Sequence, residues 1–140
     1  MTSSAIEFAR SLYEAMARGD MPWMYEHMHP DAVFHQTGRF PTAGTYRGRD
    51  AVFGHLGEFM QLVEGNFSID VHDIAASDQH LVALIRVTVG YGSRRLEFDE
   101  AHIFHLMDGK VTEMWAVPQN PYKVDAFFAG VTDPQTTSGG

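Results

Sequence analysis

The stretch RLEFDEAHIFHLMDGKVTEMWAV, residues 95–117, decides the fold. Two extended runs, 95–107 and 110–117, flank Asp108-Gly109, and an Asp-Gly pair between such runs is a strong hairpin signal. Upstream, 80–91 and 67–76 have the same strand character and join through Ser77-Asp78. Before them the period changes. Residues 50–63 read as a helix opened by Asp50 as N-cap and closed by Gly65-Asn66. Ala32 to Thr37 reads as a strand broken by Gly38, Thr45-Tyr46 as extended chain, and His29-Pro30-Asp31 as a turn. A short helix is expected over 21–28, with Pro22 near its start. Residues 4–18 carry Ile6, Ala9, Leu12, Tyr13 and Met16 at helical spacing, with Ser3 or Ser4 as the cap, Glu7 as the capping-box partner of Ser4, and Gly19-Asp20 as the stop. Three helices followed by a run of hairpin-linked strands make an α+β meander rather than an alternating βαβ fold.

The totals agree with one domain, expected over 1–130, followed by a mobile tail over 131–140. Of the 140 residues 44% are hydrophobic and 20% charged, the balance of a globular protein. A net charge of −8 repels phosphate backbones, and Arg47-Gly-Arg49 and Arg94-Arg95 are too short to reverse the field, so no nucleic-acid partner is expected. No apolar run is long enough to span a bilayer, and the N-terminus lacks the pattern of a secretory signal, so the expectations are no membrane and a cytoplasmic location. Cysteine is absent, which removes disulfides and thiolate chemistry. Eight histidines and eight methionines suit a cavity, imidazole for proton traffic and thioether for irregular apolar walls.

Period-2 counting sorts the strand faces. Leu81, Ala83, Ile85, Val87, Val89 and Tyr91 share the drier face of their strand, and Tyr91 is expected near a pocket. In the next strand Phe98, Glu100, His102, Phe104 and Leu106 share a face opposite Glu97, Asp99, Ala101, Ile103 and His105. With the first set inward, Glu100 becomes the same-face neighbour of His102, placed to orient its imidazole and favour the protonated ring. A metal site is not expected. His27 and His29 are too close for one helical face, His102 and His105 have opposite parity, and no HExxH string occurs. Ser11, Ser68, Ser77 and Ser93 lack a nucleophile elbow, and no glycine-rich phosphate loop appears, so no cofactor is expected.

The strings LYEAMARGD (12–20), HPDAVFHQTG (29–38), AGTYRGRDAV (43–52), DGKVTEMW (108–115) and VDAFF (124–128) follow one another at intervals that mark a family. The chain resembles, over about 5–128, the SnoaL-like branch of the nuclear transport factor 2-like superfamily, which also holds ketosteroid isomerase, limonene epoxide hydrolase and aromatic polyketide cyclases. The resemblance implies a cone-shaped barrel of strongly curved, mixed or antiparallel sheet around three N-terminal helices. It also implies one apolar pocket and a homodimer packed through the outer sheet face. His35 stands where the similar isomerase carries its general base, and His102 where it carries its hydrogen-bond-donating acid. Both positions are imidazole here instead of carboxyl. The isomerase's helix-1 phenol falls on Leu12, which leaves neighbouring Tyr13 as a pocket-packing residue. The cyclases carry an Asp a few residues after the Trp matching Trp115, at Asn120 in this chain. An amide is no base, though Asn120 and Gln119 remain able to donate to a carbonyl.

The expected catalytic set is therefore His102 with Glu100 as acid–base unit, Tyr46 and Tyr91 as oxygen donors, and His35 as a second proton carrier. Tyr13, Trp23, Phe34, Phe53, Met60, Phe104, Trp115 and Asn120 are expected to line the substrate pocket, with Phe59 and Phe127 as core or wall. The activity this points to is a cofactor-independent cyclase or isomerase working on an apolar, aromatic-containing small molecule. The favoured reaction is acid-assisted opening of an epoxide by an internal hydroxyl. The alternatives are proton transfer next to a carbonyl, epoxide hydrolysis, and a non-catalytic lipophile-binding module.

Overall fold

A computed structural model describes residues 4–129; the expected mobile tail, 131–140, lies outside them. The elements run α1 (Ser4–Arg18), α2 (Met21–Glu26), β1 (Met28–Gln36), β2 (Gly44–Arg47), α3 (Arg49–Leu62), β3 (Phe67–Ala76), β4 (His80–Tyr91), β5 (Arg94–Met107), β6 (Lys110–Pro118) and α4 (Pro121–Phe128). The class is α+β, as the order of periods implied. The six strands form one mixed sheet in the order β2-β1-β6-β5-β4-β3. Only β1 and β6 are parallel; every other pairing is antiparallel. The barrel stays open, with β2 and β3 as its edges. No helix among the described residues is long and apolar enough to cross a membrane.

The β5–β6 hairpin forms as its sequence demands. Asp108 and Gly109 adopt φ of 53° and 73°, the paired positive values of the tight turn that matches the twist of its strands. On β4, Leu81, Ala83, Ile85, Val87 and Val89 are each at most 2% exposed, while Leu84 between them is 46% exposed. Burying each of the larger ones is worth about 1.5–3 kcal/mol, and a one-residue slip would forfeit all of them. Register is thereby pinned along β4, and through its antiparallel ladder along β5.

The boundaries differ in several places: α3 starts at Arg49 with Gly48, not Asp50, as its N-cap, which leaves Asp50 in the first turn. The short helix ends at Glu26, not 28, and the expected turn at His29-Pro30-Asp31 is the start of β1. Pro30 is tolerated because the pairing with β6 breaks between Met28 and Val33, and the pairing with β2 starts only at Val33. Its missing N–H therefore removes no ladder bond. A fourth helix, α4, was not anticipated. Asn120 caps it by accepting from the Lys123 N–H, Pro121 takes the first turn, and Val124 and Phe128 bury beneath it.

Candidate active site

Helices α1, α3 and α4 cover one face of the sheet, and between them lies a cavity of about 400 Å³. Met16, Met21, Met24, Met60 and Met114 are in its wall, so five of the chain's eight methionines serve it. Polar side chains are few: Gln36, His55, Glu100 and His102. An apolar chamber with a handful of convergent polar groups is the usual form of a small-molecule site.

Strand alternation delivers two of the four. Glu100 and His102 sit on the inner face of β5, 8% and 5% exposed. His102 Nε2 lies 3.4 Å from Glu100 Oε2. On the ring's other side, the Tyr13 hydroxyl of α1 is 2.8 Å from Nδ1. Burial, reinforced by the negative charge of Glu100, pushes the Tyr13 phenol far above its ordinary range, so it keeps its proton. A neutral His102 therefore accepts from Tyr13 at Nδ1 and carries its own proton on Nε2, toward Glu100. The other tautomer would set a lone pair against the carboxylate. A protonated ring instead donates from Nδ1 to the phenol oxygen, so Tyr13 holds the ring in both states. Phe104, 1% exposed, packs edge-on against Tyr13 and His102 with ring centroids 6.4 and 6.0 Å away.

Gln36 completes a row. Gln36 and His102 both register with Ala116 of the intervening β6, one from each side. The small alanine leaves open space between the amide and the imidazole. Gln36 shares the parity of Phe34, and that was the signal available in sequence. His55 is the other addition. It is 2% exposed on α3, between Tyr46 at 4.0 Å and Phe34 at 5.2 Å, ring to ring. Burial lowers its pKa to about 4. Its sequence signal was a histidine within the apolar helical stripe Val52, Leu56 and Phe59.

Of the other residues expected in or around the pocket, Phe34, Phe59 and Met60 line it, and Tyr13 and Phe104 form the layer behind His102. The rest lie elsewhere. His35 is the neighbour of inward Phe34 and Gln36, so it points through the opposite face. There its Nε2 is 2.6 Å from Glu113 Oε2 and its Nδ1 3.1 Å from Thr45 Oγ1. Trp115, between inward Met114 and Ala116, follows the same parity and stacks on His35 at 5.1 Å. Tyr46 donates its hydroxyl to the Thr42 carbonyl at 2.8 Å, which occupies the intended oxygen donor. Tyr91, at the end of β4, is outside the cavity wall, with the Arg94 guanidinium 5.9 Å from its ring. Trp23 stacks on His27 at 3.9 Å, Phe53 meets Tyr25 at 5.2 Å, and Asn120 is spent as a helix cap.

The same fold recurs in known proteins. Bal32a, from a soil-derived mobile gene cassette, superposes with a TM-score of 0.83 at 27% identity, over 88% of this chain and 95% of that one. IdmH, a candidate polyketide cyclase from Streptomyces antibioticus, gives 0.71 at 20% identity over 89% and 98%. An epoxide hydrolase of Mycobacterium tuberculosis, similar to limonene epoxide hydrolase, gives 0.69 at 20% identity over 90% of each chain. Residues 9–114 match the SnoaL-like domain, and with the open mixed sheet and covered cavity in place, the chain belongs to the SnoaL-like domain family.

Proposed function

We propose that the protein is a cofactor-independent cyclase that closes a pyran- or furan-type ring by opening an epoxide on an apolar, aromatic-containing substrate. The observation that carries this reading is the buried His102–Glu100 pair, 3.4 Å apart in an otherwise apolar chamber. In its ion-paired state the dyad holds an acid and a base side by side. His102 gives its Nε2 proton to the epoxide oxygen as the epoxide C–O bond breaks. The substrate hydroxyl oxygen forms the new C–O bond and loses its proton to the Glu100 carboxylate. Transfer of that proton from Glu100 to His102 restores the pair, so the product is an isomer of the substrate and nothing is consumed. The Met-rich wall contributes by folding the chain so that hydroxyl and epoxide meet. The presence of a candidate polyketide cyclase and an epoxide hydrolase on the same fold supports the choice of ring closure through an epoxide.

A panel of aromatic hydroxy-epoxides, incubated in ¹⁸O-water and followed by chiral chromatography with mass spectrometry, tests the proposal. Cyclisation returns an unlabelled isomer, and Glu100→Gln or His102→Gln slows it by about 10²–10⁴-fold. A product heavier by one labelled water identifies a hydrolase. Turnover that ignores both substitutions overturns the dyad.

A second reading, proton transfer next to a carbonyl, draws on the same adjacency of a carboxylate to an imidazole N–H. Deuterium exchange from solvent into the α-position of a ketone probe, lost in Glu100→Gln, would select it over ring closure.

A further inference from the structure

Catalysis by the dyad leaves His55 unused. Its ring forms part of the cavity wall, yet Nδ1 is sealed from solvent with no hydrogen-bond partner. Neighbouring Tyr46 gives it no proton, because that hydroxyl donates to the Thr42 carbonyl, and the two rings stack face to face at 4.0 Å rather than meeting in the ring plane. An unpaired polar ring in an apolar stripe weakens the fold, and leucine would fill the same place without that penalty.

We infer that His55 is a second polar contact for the substrate, donating from Nε2 to an acceptor oxygen remote from the reacting centre. This extends the acid–base reading of the cavity to the class of molecule it accepts. Burial holds the ring neutral near pH 7, with its pKa at about 4. A neutral imidazole has one N–H. On Nδ1 it would be a sealed donor with no acceptor, the rarest kind of buried group. On Nε2 it is available to a ligand.

Position sets the ligand's length. His55 lies between Tyr46 of β2 and Phe34 of β1, and His102 is on β5, with β6 between β1 and β5. Two to three inter-strand spacings place the poles roughly 10–15 Å apart. The substrate is then an apolar framework about two to three fused rings long. Its reactive oxygen lies at His102 and Glu100, and a carbonyl, ether or phenol oxygen lies at the far end against His55.

Binding of 1-tetralone and of tetralin, which differ by one carbonyl oxygen, tests this without turnover in wild type, His55→Leu, His55→Gln and His102→Gln. Wild type should prefer the ketone, and His55→Leu should lose about fivefold of that preference, the worth of one hydrogen bond, with tetralin affinity and melting temperature undiminished. His55→Gln, which restores a donor, should recover part of the preference. In His102→Gln, tetralone should still shift the ¹⁵N resonance of His55 Nε2. Equal binding of the two probes to wild type, or a preference that survives His55→Leu, overturns the inference. So does a loss of both probes together with a fall in melting temperature, which marks a structural histidine. If the preference survives His55→Leu while His102→Gln abolishes turnover, this inference fails and the dyad stands. If the preference follows His55 while His102→Gln turns over normally, the dyad fails instead.

Discussion

The hydroxyl of Tyr13 lies 2.8 Å from Nδ1 of His102, although 89 positions separate the two residues in the chain. This contact ties α1 to the inner face of β5 and turns a strand histidine into an oriented proton carrier. The ring cannot rotate about its Cβ–Cγ bond without abandoning either the phenol or Glu100.

Removal of that hydroxyl should be felt twice. Tyr13→Phe leaves Nδ1 of a buried ring without a partner, which costs about 1–3 kcal/mol of stability. It also frees the imidazole to turn, so kcat should fall more than KM rises. Urea denaturation and steady-state kinetics of the same preparation check both effects, and an unchanged kcat would show that Tyr13 only packs.

Acid should weaken the fold through His55. Its folded pKa is about 4, against an ordinary value of 6.5. Between those limits the unfolded chain binds a proton that the folded protein refuses, so stability rises with pH across the window. The contribution is complete above about pH 6.5 and is lost as pH falls toward 4, by an amount of order 1–3 kcal/mol. Melting curves between pH 4.5 and 7.5 should show a steeper acid loss for wild type than for His55→Leu. Parallel curves would contradict the assignment.

His35 pairs with Glu113 on the face away from the cavity. His35→Gln should therefore leave kcat/KM within about twofold of wild type, as expected for a substitution away from the site. A large loss would place His35 back in the reaction.

Asn120 offers a cleaner separation of fold from function. As N-cap of α4 it should cost about 1 kcal/mol when replaced by alanine, with ligand affinity unaltered. Thermal denaturation paired with a binding assay checks this.

The expected homodimer would use the sheet face that carries His35, Trp115 and Leu84. Leu84 is 46% exposed there, and Leu84→Arg should convert dimer to monomer in sedimentation velocity. A wild type that sediments as a monomer removes the proposal.

Much of the fold was legible because it is written in local spacing. The Asp108-Gly109 turn, the buried alternation of β4 and the apolar stripe of α1 each depend on residues a few positions apart. The pairing of Glu100 with His102 belongs here too, since two residues on one strand face need only the strand. His35 and Trp115 fall outside the pocket for a related reason. Similarity of position places a residue on a strand, whereas parity decides which face it takes, and Phe34 and Gln36 had already claimed the inward side of β1. Tyr46 and Tyr91 keep inward parity and are set aside by position: Tyr46 pairs with Phe34 but bonds its hydroxyl to the Thr42 carbonyl, and Tyr91 stands at the far end of β4.

By itself, then, the sequence determined the α+β class, the hairpin-linked strands and the shared strand face of Glu100 and His102, all products of periods of 2 and 3.6 residues acting over short range. Only the tertiary structure decided that Tyr13 backs His102, that Gln36 faces it across Ala116, and that His55 closes the far wall. Those relationships arise from the parallel pairing of β1 with β6 and from helices laid across the sheet. Such contacts join segments tens of residues apart, and no local period encodes them.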